Sequence, residues 1–183
     1  RLFGLIKKKA LMIKVNVILN NIVWKKYLKN PHNFIDKRIE LLNKRNKLFK
    51  RNSLICSLLL SGTKEIKNLN KKFRNKDKST DVLSFPFYEK KQLSNKIKRE
   101  KEVYLGDIII NLGQVKNKNN KFKFKKELNK LWIHGLLHLL GYDHTSCLDF
   151  QRSYGPLSDL AVRELRQSAR IDAVLHERSQ YLE

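Results

Sequence analysis

Cysteine is scarce in this chain, with Cys56 and Cys147 the only two in 183 residues. Two are too few for a disulfide framework and suit a reducing compartment. Cys56 sits in an apolar run and is expected to be packed. Cys147 is either a free thiol or an extra metal ligand. Long apolar runs are missing too. None approaches the 18 or so residues that span a bilayer, so no membrane-crossing helix is expected. Acidic residues are few, 17 against 40 Lys and Arg, and the first 35 positions hold none. That acid-poor start is Lys-rich rather than Arg- and Ser-rich, which speaks against a transit peptide. Methionine occurs once, at Met12, so residues 1–11 read as an upstream extension outside the fold.

What is abundant is positive charge. The net +23 falls wholly within residues 1–149, because five arginines balance five acidic residues in 150–183, where lysine and asparagine are absent. Such an excess indicates a polyanionic partner, either nucleic acid or an anionic surface. A lysine- and asparagine-rich coding bias would give the same excess without any partner, and composition alone leaves both readings open. The break in composition defines three segments: the 1–11 extension, a 12–149 domain large enough for its own core, and a helical tail of distinct origin.

Within 12–149 the patterning alternates between strand and helix. Ile13 to Leu19 alternates and then becomes apolar, reading as a first strand. Phe34 to Lys50 carries Phe34, Ile35, Ile39, Leu42 and Phe49 among lysines, a basic amphipathic helix. Ser53 to Leu60 reads as a second strand. A helix follows to Phe73, with Thr63 as its expected cap and Ile66, Leu69 and Phe73 as its apolar face. The polar loop Arg74 to Thr80 leads into a strand at Val82 to Phe85. Tyr88 to Glu102 reads as a lysine-rich flexible loop, and Val103 to Asn111 as a buried strand interrupted at Gly106-Asp107. Phe122 and Phe124, set among lysines, suit either stacking on unpaired bases or core packing. The last helix is expected over about 125–140. The assembly is an α+β domain, a small mixed β-sheet with packed helices.

Three of the five histidines lie in Ile133 to His144, IHGLLHLLGYDH. His134 and His138 fall one helical turn apart on one face. Gly141 supplies the residue type that ends a helix with positive φ, so His144 can return to the same point. Three imidazoles around one ion, with a fourth position open, describe a catalytic zinc site. A lone histidine on such a helix would more often be a core residue, which is how His176 is read. The HExxH motif places a general base directly after its first histidine. Here that position is Gly135. Asp107 is a candidate to orient a histidine or, equally, to cap a turn.

The stretch HGLLHLLGYDH resembles the signature of the YbeY family of rRNA maturation factors, which are single-strand-specific, metal-dependent endoribonucleases. NKKFRNKDKSTDVLSFP (70–86) and LGDIII (105–110) agree with it in order and spacing. The family's pattern often has proline where Ser79 stands here, and an acidic helix where 150–183 stands. The resemblance implies one Zn2+ per chain held by His134, His138 and His144. It also makes Arg74, whose planar fork suits a phosphate and its developing charge, a catalytic residue beside the three histidines. The metal site is expected to face Arg74 across a basic groove. The implied substrate is single-stranded RNA, with small-subunit rRNA and the ribosomal small subunit or its proteins as partners. The implied setting is a bacterial-type cytoplasm, without membrane association. Two other classes remain open: a noncatalytic assembly factor with structural zinc, and a zinc hydrolase of other substrates.

Overall fold

The structure, a computed structural model, describes residues 12–45 and 53–141. The 1–11 extension, Phe49, His144, Cys147 and the 150–183 tail lie outside the described residues. In chain order the elements are β1 (Met12–Leu19), α1 (Trp24–Tyr27), α2 (Pro31–Arg45), β2 (Ser53–Ser61), α3 (Thr63–Arg74), β3 (Val82–Pro86), α4 (Lys90–Arg99), β4 (Glu102–Asn111), a 3-10 turn (Leu112–Gln114) and α5 (Lys121–Leu139).

The strands form one sheet in the order β1-β2-β4-β3. β1 and β2 pair in parallel, as do β2 and β4, whereas β3 runs antiparallel at the edge beside β4. The mixed α+β sheet expected from the patterning is therefore present. Alternation divides each strand between two faces. Ile13 and Val17 of β1, Leu54, Leu58 and Leu60 of β2, and Ile108 and Ile110 of β4 join the main core. Against that face lie Ile35, Ile39 and Leu42 of α2 and Phe124, Leu128, Trp132 and Leu136 of α5. Each fully buried side chain of this size stabilises by about 1.5–3 kcal/mol. The opposite face carries a smaller cluster, in which Ile66 of α3 meets Leu83 and Ile109. Two long helices thus cover one face and α3 covers part of the other.

Several local details differ from the sequence expectation. Tyr88 to Glu102 is not a loop throughout: α4 occupies its middle, with Leu93 fully buried and Ile97 packed beside the core. Those two anchors, four apart, are a minimal apolar stripe that surrounding lysines obscure. At the start of α3 the cap is Gly62, not Thr63. The Thr63 hydroxyl is taken by the Asn111 side chain, 3.1 Å away at the end of β4. α5 begins at Lys121, one turn earlier than expected, because the Asn120 carboxamide accepts from the amides of Phe122 and Lys123. Finally, β4 runs unbroken through Gly106-Asp107, and its register against β2 shifts just before them, at Leu105.

Candidate active site

α5 delivers the two described histidines of the motif, His134 and His138, to its C-terminal end. Their Nε2 atoms stand 3.1 Å apart, with ring centroids 4.5 Å apart and planes at 87°. Two nitrogens at about 2.0–2.1 Å from one ion are that far apart when the N–metal–N angle is about 100°, close to tetrahedral. His134 and His138 therefore fit as neighbouring ligands of a single zinc. Among the described residues, no group of three or more His, Cys, Asp or Glu converges on one point. The H-x3-H-x5-H set is seen only in its first two members, because His144 falls outside the described residues.

Past His138 the helix closes as the glycine requires. Gly141 has φ of 82°, and its amide donates to the His138 carbonyl at 3.0 Å. A Cβ on Gly141 would also stand 3.0 Å from Cγ of Lys90, so the start of α4 lies against this bend. The chain is thereby released from the helix three residues before His144.

Gly135 has a second explanation besides the missing base. It is buried, and a Cβ built there would lie 2.6 Å from Cγ2 of Ile108 and 3.2 Å from Oγ of Ser84. The backbone of α5 rests directly on β3 and β4 at this point. Any side chain would collide with the sheet, and a carboxylate would be buried against Ile108 rather than aimed at a substrate. A glutamate base of the HExxH kind is therefore sterically incompatible with this helix–sheet contact.

Among the described residues Asp107 orients no histidine. The shift in the β4 register places it on the α3 side of the sheet, whereas Ile108 faces α5. There the Tyr104 hydroxyl donates to the Asp107 carboxylate at 2.6 Å, with Ser57 Oγ 3.0 Å from the same phenol oxygen. Burial, and then this bond to a carboxylate, raise the Tyr104 phenol above its usual range. Cys56 is buried as expected, and burial pushes its thiol up to about 12, too high for a nucleophile.

Arg74 is exposed as the last residue of α3. Among the described residues its side chain makes no hydrogen bond or ion pair, and nothing links it to His134 or His138. α3 and α5 lie on opposite faces of the sheet, and the loop after Arg74 feeds the edge strand β3.

That loop is well tied. Asn75 adopts a left-handed φ of 55°, and its amide donates to the Lys71 carbonyl at 3.1 Å. The buried Asn70 side chain donates to the Lys78 carbonyl at 2.7 Å. Asp77 lies 3.5 Å from both Lys67 and Lys71, and these two ammonium groups hold its carboxyl below the usual carboxylate range. Asp81 accepts from the Val82 amide and the Thr80 hydroxyl, so it orders the turn into β3. Asn111 is a residue that no sequence motif marked. Fully buried, it donates to the Thr80 carbonyl and accepts from the Gly113 amide, fastening the loop to the end of β4. An asparagine closing an apolar strand run was the signal that could have found it.

Several known proteins resemble this chain in sequence. A sequence profile for the family described as Endoribonuclease YbeY matches residues 19–152. Endoribonuclease YbeY of Pelagibacter ubique is 40% identical over 143 residues, covering 77% of this chain and 89% of that protein. The Thermodesulfovibrio yellowstonii protein of the same name is 37% identical over 111 residues, covering 60% of this chain and 63% of its own length. The solution structure of a Thermotoga maritima protein matches at 29% identity with a TM-score of 0.46, covering 84% of this chain and 93% of that one. By the extent of the profile match and the coverage of the Pelagibacter relative, the chain belongs to the endoribonuclease YbeY family.

Proposed function

We propose that the chain is a zinc-dependent endoribonuclease cutting single-stranded RNA in rRNA maturation, with small-subunit rRNA as its target. RNA cleavage is the activity for which the family is named, and the relatives carrying that name are bacterial. One observation on this chain carries the metal half of the proposal: the 3.1 Å separation of the His134 and His138 ring nitrogens on the last turns of α5. His144 is the third ligand by its place in the motif, three residues past the left-handed Gly141.

A zinc ion bound there supplies Lewis-acid polarisation and a lowered water pKa. The remaining work belongs to the chain. His134 and His138 hold their rings edge to face, fixed by a helix whose backbone cannot shift at Gly135. Arg74, at the rim of the β3 edge, binds a phosphate of the RNA strand through its fork and stabilises charge building on the oxygens. The ties made by Asn70, Asp77 and Asn111 hold the loop that follows it in place. Lysines spread over the surface give salt-sensitive, sequence-independent affinity. Among the described residues no helix is long and apolar enough to cross a membrane. A peptide-cleaving reading is disfavoured by Gly135, which leaves no room for the glutamate that such zinc enzymes use.

The test compares wild type with His138→Ala for bound zinc and for cleavage of single-stranded RNA. About one zinc per chain, with zinc and cleavage both lost in the variant, is the expected result. Zinc bound without cleavage by clean wild-type protein would favour a noncatalytic assembly factor, and no zinc at all would overturn the metal assignment.

A further inference from the structure

Far from the histidines, at the N-terminal end of α5, the molecule has a small open cavity of about 260 Å³. Its lining draws on the α1–α2 turn, the first turns of α2 and the first turns of α5. Lys29, Lys37, Lys121 and Lys125 all contribute to it, together with Phe34 and Asn33. Among the described residues no carboxylate lines it. The acids of α2, Asp36 and Glu40, are exposed and stand outside the cavity. Among the described residues none of the four lysines is in a salt bridge.

Four cations brought into one concavity repel one another and need a reason to be there. Lys125 shows the strain: its ammonium is held below the ordinary lysine range, first by burial and then by Lys121, Arg38 and Lys37. The Phe34 ring gathers this charge without neutralising it, with Lys125 Nζ 5.9 Å and Arg38 Cζ 5.5 Å from its centroid. Neither α2 nor α5 carries an acidic residue in its first turn, where carboxylates ordinarily offset the positive helix end. Each of those unfavourable terms is relieved by one bound anion. The volume lies below the roughly 300–1,000 Å³ of sites for drug-sized ligands, which suits a single phosphate or one nucleotide unit.

We propose that this lysine-lined cavity between α1–α2 and the start of α5 is a phosphate site that holds a backbone phosphate of the RNA, remote from the cleavage site. It rests on the RNA-cleaving reading for the identity of its ligand, but not for the existence of an anion site. Along α5, Lys125 and His134 are separated by about 14 Å of helix rise, and Lys121 and His138 by about 25 Å. The cavity is therefore an anchor for RNA outside the reacting segment.

The experiment uses the full chain with a single-stranded RNA under conditions where it is bound but not cut. Lys37→Gln/Lys125→Gln is compared with Lys98→Gln/Lys101→Gln, which removes the same charge from exposed positions elsewhere. The expected result is an affinity loss of about tenfold for the cavity variant and less than threefold for the control. With one phosphate no longer neutralised, the slope of log K against log salt also falls by about 0.7. Thermal stability of the cavity variant should be unchanged or higher, because a desolvated, repelled cation has been removed. A fall in melting temperature that accounted for the weaker binding would overturn the proposal. Equal losses in both variants would overturn it in favour of diffuse charge. If titrated inorganic phosphate shifts the Asn30 and Asn33 amide resonances while RNA affinity stays intact, the site takes free phosphate and the RNA assignment falls. Dependence on the cavity for binding an acidic polypeptide, with none for RNA, would overturn it as well. Cavity-dependent RNA binding by a protein that never cleaves would leave this site standing and defeat only the endonuclease reading.

Discussion

The two ends of α5 are built from the same helix and do opposite things with charge. At the C-terminal end, two half-buried imidazoles meet nitrogen to nitrogen at 3.1 Å, a separation that would suit two ligands of one cation. At the N-terminal end, Lys121 and Lys125 join Lys29 and Lys37 around a cavity arranged for an anion. The lysines at the N-terminal end oppose the usual helix preference for negative charge there, whereas a cation held at the C-terminal end would follow it. Between them the helix is core, with Phe124, Leu128, Trp132 and Leu136 all buried. The contrast shows that α5 is a fixed strut. Its middle is specified by packing, which leaves both ends free to carry binding chemistry.

The largest effect expected from breaking this contrast is at the histidine end. His138→Ala should lower cleavage by at least about 100-fold and abolish bound zinc, since even groups that only orient ligands are worth about 10–100-fold. Metal analysis beside a gel-based cleavage assay measures both, and retained zinc would refute the ligand assignment. Next comes Arg74→Ala, expected to slow cleavage by about 100-fold, the scale of losing one stabilising donor. Its melting temperature should stay near that of wild type, because the Arg74 side chain has no partner among the described residues. Arg74→Lys should recover only part of the activity, since an ammonium lacks the fork.

A third variant tests the strut itself. Gly135→Ala puts a methyl group 2.6 Å from Ile108 Cγ2, an overpacking expected to cost about 1–3 kcal/mol. The better helix propensity of alanine offsets about 1 kcal/mol of this. Denaturant unfolding would measure the balance, and a variant more stable than wild type would show that α5 can lift from the sheet. The smallest effect concerns Asp77. Its carboxyl is lowered by Lys67 and Lys71, so its contribution is present above the unfolded carboxylate range and is lost as pH falls through the lower folded value. Asp77→Asn should therefore loosen the Arg74 loop near neutral pH and match wild type in strong acid. Amide exchange of Lys76 and Lys78 across that pH range would reveal the difference.

Features that depend on near neighbours were legible in the sequence. The histidines, four apart with a glycine past the turn, could be placed because helix geometry fixes i and i+4 without help from the rest of the chain. The strands Met12–Leu19 and Ser53–Ser61 announced themselves through alternation and apolar runs. α4 did not, since Leu93 and Ile97 are only two anchors among lysines and gain their meaning from the core beneath them.

The sequence by itself determined a basic α+β chain with a paired-histidine helix end, because period, spacing and charge are local properties. Tertiary structure alone decided which partner each polar group received. A register shift in β4 turned Asp107 toward Tyr104 and away from the face that α5 covers. Asn111 drew the Thr63 hydroxyl away from capping α3. Contact with Ile108 made glycine obligatory at position 135. The lysine cavity likewise joins residues from opposite ends of the domain, Lys29 and Lys37 with Lys121 and Lys125, which only packing of α2 beside α5 brings together.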